Sequence, residues 1–219
     1  MCGRFAQATA LDKLEQMLDI VGQLTTQARY NIAPSSLVTI VRQNTNGQAE
    51  YAALKWGLIP HWSKDPGIGN KLINAKSETL QEKPSFRGPF RYRRCLVPVD
   101  GFYEWTSEGG KKQPWFIQSE DEQPLLLAGL WDNWETPQQD IESFTIITRA
   151  ADQQISSIHD RMPVMLKPEH ISTWLDRKNQ TPELLFPVMN QSIKLKYWQV
   201  STQVNSPRND TAALTKPIQ

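Results

Sequence analysis

The feature that most narrows the fold of this chain is a succession of short apolar segments separated by turn residues. LVTIVR (37–42), EYAALKW (50–56), LVPV (96–99), GFYEW (101–105), PWFIQ (114–118), PLLLAGLW (124–131) and SFTIITRA (143–150) follow one another. Short runs rich in β-branched and aromatic residues and bounded by turn formers read as strands. Asn46-Gly47 in the first gap and Gly109-Gly110 before PWFIQ tolerate the positive φ of tight hairpins. KYWQVS (196–201) reads as a closing strand. Residues 10–21 place Leu11, Leu14, Met17, Leu18 and Val21 on one helical face behind Thr9 as N-cap, and a second helix starts near Pro168, with Ile171, Trp174 and Leu175 facing inward. Strands joined mostly by hairpins, with a few peripheral helices, predict an α+β chain: a mainly antiparallel, barrel-like or sandwich architecture. With no repeat, low-complexity tract or long linker, the 219 residues are expected to form one domain, 1–219.

Composition then removes several kinds of function. Lys+Arg 24 against Asp+Glu 23 gives a net charge of +1, so nucleic-acid affinity has to come from a local patch. The sequence nowhere strings together the apolar residues of a membrane span, and the start MCGRFAQATALDKLEQ lacks the apolar core of a secretory signal. A cytoplasmic protein with reduced thiols and no membrane partner is expected. Cys2 and Cys95 are too few for a disulfide framework or a Cys-based zinc site. His61, His159 and His170 share no zinc-binding spacing. Neither a metal nor an organic cofactor is expected.

Five features carry possible chemistry. If Met1 is removed, Cys2 becomes the N-terminus, with an amine and a thiol on adjacent carbons. Such a 1,2-aminothiol attacks an aldehyde through nitrogen and closes through sulfur to a thiazolidine; the free amine could instead act as base for the thiol in amide hydrolysis. The bland alternative is a frayed terminus. In GFYEW, Glu104 shares a strand face with Phe102, opposite Tyr103 and Trp105, which sets it either at a solvated rim or in a desolvated cleft suited to acid–base work. In SIHDRMPVML, His159 is a proton carrier or a structural histidine, and Arg161 beside it suits a phosphate. Asn74, in LINAKSET (72–79), ends an apolar pair as a site amide or a turn residue. KPSFRGPFRYRR (83–94), which contains Arg87 and Arg91, interleaves cations with Phe86, Phe90 and Tyr92 as single-stranded nucleic-acid grooves do, or forms a solvated basic loop.

Taken together, MCGRF, RYNIAP (29–34), KWGLIPHW (55–62), LINAKSET, CLVPVDGFYEW (95–105) and IHDRMPV (158–164), in this order over residues 2–205, resemble the SOS-response-associated peptidase (SRAP) family of abasic-site processing proteins. The resemblance implies a mainly β fold with surrounding helices. It also implies a chain, expected to act as a monomer, that binds abasic sites in single-stranded DNA and cross-links to them through the mature Cys2. By the same resemblance Cys2 is the nucleophile, Asn74 orients the sugar, Glu104 assists ring opening or proton transfer, and His159 shuttles protons. Arg4, Lys76 and Arg161 then contact DNA, with Trp105 and, from the basic stretch, Arg87 and Arg91 as further expected contacts, and removal of Met1 accounts for the peptidase label. The family often has Arg at the place of Lys76, which binds phosphate without the bidentate fork. Two rival readings remain: an N-terminal-nucleophile hydrolase, which turns over a small amide and forms no DNA adduct, and a noncatalytic single-stranded DNA binder, which tolerates loss of Cys2.

Overall fold

Hairpins dominate the architecture of the computed structural model, which describes residues 2–15, 18–22 and 27–218. In chain order the strands are β1 (Phe5–Gln7), β2 (Ile20–Val21), β3 (Arg29–Ile32), β4 (Leu37–Gln43), β5 (Ala49–Trp56), β6 (Asn74–Lys76) and β7 (Arg94–Val99). They continue as β8 (Gly101–Glu108), β9 (Lys111–Ser119), β10 (Leu125–Thr136), β11 (Gln139–Ala150), β12 (Arg161–Pro163), β13 (Met165–Leu166) and β14 (Leu195–Gln199). The helices are α1 (Ala10–Glu15), α2 (Pro84–Tyr92), α3 (Ile171–Leu175) and α4 (Pro182–Met189). One sheet runs β14–β9–β8–β1–β3 and the larger one β12–β11–β10–β7–β4–β5–β2, with β13 on β10 and β6 on β11. Pairing is antiparallel except where β5 and β6 meet β11 and where β2 meets β5. The β5–β11 contact returns the larger sheet to itself, closing β11–β10–β7–β4–β5 into a barrel. The fold is therefore the α+β, mainly antiparallel, barrel-like arrangement expected.

Alternation along the strands sets the layers. Leu125 and Leu127 of β10, with Cys95, Val97 and Val99 of β7, face an inner core that also takes in Cys2, Phe5, Phe102 and Ile117. Their neighbours Leu126, Ala128 and Leu96 face an outer core covered by Leu14, Phe86, Phe90, Trp174 and Leu185 of the helices. On the other side of the smaller sheet, Tyr103 and Phe116 pack under Val200, Val204 and Leu214.

Of the helix expected over 10–21, α1 spans Ala10–Glu15 among the described residues, while Ile20 and Val21 pair in parallel with Ala49 and Glu50. Two β-branched residues gain more from an open strand edge than from another helical turn. Met17 lies outside the described residues. The Thr9 carbonyl accepts from the Lys13 amide, as at an N-cap, and its hydroxyl donates to Asp100. Near Pro168 a 3-10 turn, Pro168–His170, precedes α3. The sequence reading missed α2 and α4, which contain Pro89 and Pro187 internally, residues that ordinarily argue against a helix.

One glycine ties the loop before β6 to the barrel. Gly57 has φ +125°, and a Cβ there would stand 2.6 Å from the Gly69 carbonyl oxygen. Its N–H donates to Phe144 O at 2.8 Å, and the Leu58 N–H donates to Leu72 O at 3.1 Å, so the loop reaches β6 in a fixed path. Gly57→Ala therefore combines an unfavourable φ with a backbone clash. It is expected to cost about 2–3 kcal/mol of stability in a denaturant melt.

Candidate active site

Strand pairing brings Cys2 and Glu104 together. In the β1–β8 pair Phe5 stands opposite Phe102 and Ala6 opposite Gly101, and the Tyr103 N–H donates to Arg4 O at 2.9 Å. Continuing that register sets Glu104 across from Gly3, beside Cys2. Because Glu104 follows Phe102 by two residues, it shares the inward face, while Tyr103 and Trp105 pack on the far side of the sheet. Glu104 is 2% exposed. Burial, with the nearby Asp160 charge adding, pushes its carboxyl up to about 7. A group titrating there is suited to give and take protons at neutral pH.

Cys2 is fully buried. Burial, and then the Glu104 carboxylate, push its thiol well above the usual range, against the opposing effect of the Arg4 backbone N–H at the sulfur. A thiol held in this state is a poor first nucleophile, because the thiolate is the reactive form.

Two further groups converge from neighbouring strands. β6 runs parallel to β11, with Asn74 opposite Ile146, and the Asn74 side-chain N–H donates to the Cys2 carbonyl at 2.9 Å. Its amide oxygen is buried with no hydrogen-bond partner among the described residues. An orphaned buried acceptor is costly and calls for a donor. His159 follows the turn that leads from β11 to β12, with Nε2 3.9 Å from Glu104 Oε2. Its Nδ1 accepts from the Arg161 N–H at 2.9 Å and lies 2.7 Å from Asp160 Oδ1. The Arg161 N–H at Nδ1 favours the tautomer that carries its proton on Nε2. Burial lowers the pKa of the ring, so the neutral form, able to accept a proton, dominates at neutral pH.

The expected DNA-contacting residues fall into two groups. Lys76 is exposed on β6, two residues from Asn74. Arg161 begins β12, and its guanidinium makes a two-pronged contact with Glu78 at 2.6 and 2.9 Å and a third with Thr148 O at 2.6 Å. Arg4 directs Nη1 at Asn31 Oδ1 (2.7 Å) and Val204 O (2.8 Å), while its Nε is buried with no partner among the described residues. The Trp105 Nε1–H donates to Asn205 Oδ1 at 2.8 Å. Arg87 and Arg91 lie apart from these residues, on the exposed face of α2 over the outer core, with the barrel wall between them and Cys2. The basic stretch 83–94 is not a stacking groove: Phe86 and Phe90 recur at helical spacing and are buried under α2. Arg94 spends its donors on five backbone carbonyls, and Arg93 pairs with Asp132 at 3.0 Å. The sequence reading did not single out Glu78 and Thr148; Glu78 lies two residues after Lys76 in the same short motif.

Among the described residues no group of three or more His, Cys, Asp or Glu is arranged to hold a metal, and no helix is long and apolar enough to cross a membrane.

Comparison with known proteins gives a consistent result. The model of the SOS response associated peptidase family matches residues 1–207. Abasic site processing protein YoaM of Bacillus subtilis is 40% identical over 98% of this chain and 97% of its own. Abasic site processing protein HMCES of Gallus gallus is 35% identical over 87% of this chain and 66% of its own. A crystal structure of a protein from Bacteroides thetaiotaomicron, 24% identical and fully covered in both chains, superposes with a TM-score of 0.86, a likeness of fold.

Proposed function

The chain belongs to the SOS response associated peptidase family, and on that premise we propose that it processes abasic sites in single-stranded DNA, capturing each as a thiazolidine on the mature Cys2. The observation that carries this reading is the placement of one buried carboxyl, Glu104, beside both Cys2 and His159.

The raised thiol supports an order in which the amine attacks before the sulfur. Removal of Met1 comes first, since an acylated nitrogen cannot form an imine, and this accounts for the peptidase in the family's name. His159 moves the proton that opens the abasic sugar to its aldehyde. The Cys2 amine then adds to the aldehyde carbon, and protonated Glu104 supplies the proton with which the carbinolamine hydroxyl leaves as water. Next the Glu104 carboxylate takes the thiol proton as Sγ bonds to the iminium carbon. The ring closes with loss of one water overall and Glu104 restored. Asn74 holds the Cys2 carbonyl and presents its unpartnered oxygen to the amine or a sugar hydroxyl. Lys76 and Arg161 take flanking phosphates, and Arg4 and Trp105 contact the strand farther along; such contacts gather the lesion without reading sequence. The stable product shields the lesion during replication-associated repair.

Cys2→Ser separates the two bond-forming steps. It keeps the amine but not the sulfur, so its adduct with an abasic single strand should survive a denaturing gel only after borohydride reduction. The unaltered chain should need no reductant. Equal adduct yields from both proteins without borohydride would refute ring closure through sulfur.

A further inference from the structure

The contact that Arg161 makes in the free protein bears on how DNA enters. Resting on the reading above, we propose that Glu78 stands in for a DNA phosphate: its carboxylate occupies the Arg161 fork and has to leave before a backbone phosphate binds there. Glu78 thereby weakens reversible DNA binding and flattens its salt dependence.

The geometry suits an exchange of anions. Both Glu78 oxygens face the guanidinium, at 2.6 and 2.9 Å, the paired arrangement that a phosphate also presents. The two partners differ in how firmly they are held. The Arg161 side chain is 14% exposed and stays anchored to the Thr148 carbonyl at 2.6 Å, whereas the Glu78 side chain is 51% exposed. Glu78 also sits on a single 3-10 turn, Ser77–Thr79, directly after β6. The carboxylate can swing outward while the guanidinium keeps its place. Arg161 holds the pKa of the paired Glu78 at about 2, and a displaced carboxylate at its ordinary value of about 4.3 is still charged near neutrality, so the exchange is not driven by pH.

This arrangement suits a protein that commits by a covalent bond. Undamaged strands bind weakly and leave quickly, because each phosphate gained at Arg161 costs the Glu78 contact. An abasic site is retained by its bond to Cys2 and does not depend on that balance.

The test is equilibrium binding of a fluorescent undamaged single strand by anisotropy across a salt series, using the full chain and Glu78→Gln. The glutamine keeps shape and hydrogen bonding but carries no charge. Arg161 then gains one uncompensated phosphate contact, so the slope of log K against log salt should steepen by about 0.7, with affinity at low salt rising roughly five- to tenfold. In an Arg161→Gln background the same change should do nothing. If Glu78→Gln fails to give a cooperative melt, Glu78→Ala serves instead. Unchanged affinity and slope, weaker binding by the variant, or no strand binding by either protein would overturn the proposal. Capture fails separately: a chain that shows the Glu78 effect yet forms no abasic adduct refutes the cross-linking reading alone.

Discussion

Cys2→Ala is expected to form no covalent product with an abasic single strand that survives a denaturing gel without borohydride, at any incubation time, while binding the strand noncovalently within about twofold of the unaltered chain. Alanine removes the sulfur proposed to close the ring but leaves the proposed phosphate contacts untouched. The sulfur is buried in the inner core, so its loss leaves a small cavity costing about 1 kcal/mol, too little to unfold the barrel. A denaturing gel reads the covalent product, and anisotropy reads the reversible complex. A protein that lost both together would point to misfolding; one that kept the covalent product would remove Cys2 from the mechanism.

Glu104→Gln should slow capture by about 10²–10³, within the usual contribution of a positioned acid–base group. The unaltered chain should lose rate as pH rises through about 7, where Glu104 gives up the proton that expels the carbinolamine hydroxyl, and the glutamine variant should lack that inflection. Stability moves in the same direction. Burial holds the folded-state pKa above the unfolded value of about 4.3, so the stability tied to the protonated form is complete below that pH. It is lost as pH rises through about 7, leaving a buried carboxylate that costs on the order of 3 kcal/mol. The variant should therefore melt higher than the unaltered chain at pH 8, with the difference shrinking toward pH 4. Slower capture joined to greater stability is the signature of a carboxyl kept for its chemistry. A variant with both the original rate and the original pH profile would strip Glu104 of its role.

Much of this architecture is legible in the sequence, because hairpin strands announce themselves locally. The segments read at 37–42, 50–56, 114–118 and 143–150 all lie within strands β4, β5, β9 and β11. The inward direction of Glu104 also follows from parity with Phe102, a local property of β8. Burial decides between its two readings, and burial depends on β1 closing over it. The elements that escaped are those whose identity is tertiary. β6 and β12 have three residues each and exist because β11 offers them an edge. α2 and α4 hide behind internal prolines, and α2 turns an apparent stacking surface into an ordinary amphipathic helix. The contact between Glu78 and Arg161 spans 83 positions along the chain, so no local pattern foretells it.

The most direct test of the account is the intact mass of the protein after mixing with a single-stranded oligonucleotide that carries one abasic site. The account predicts a species equal to the chain without Met1, plus the oligonucleotide, less one water. Protein without Met1 that never gains the oligonucleotide would contradict it.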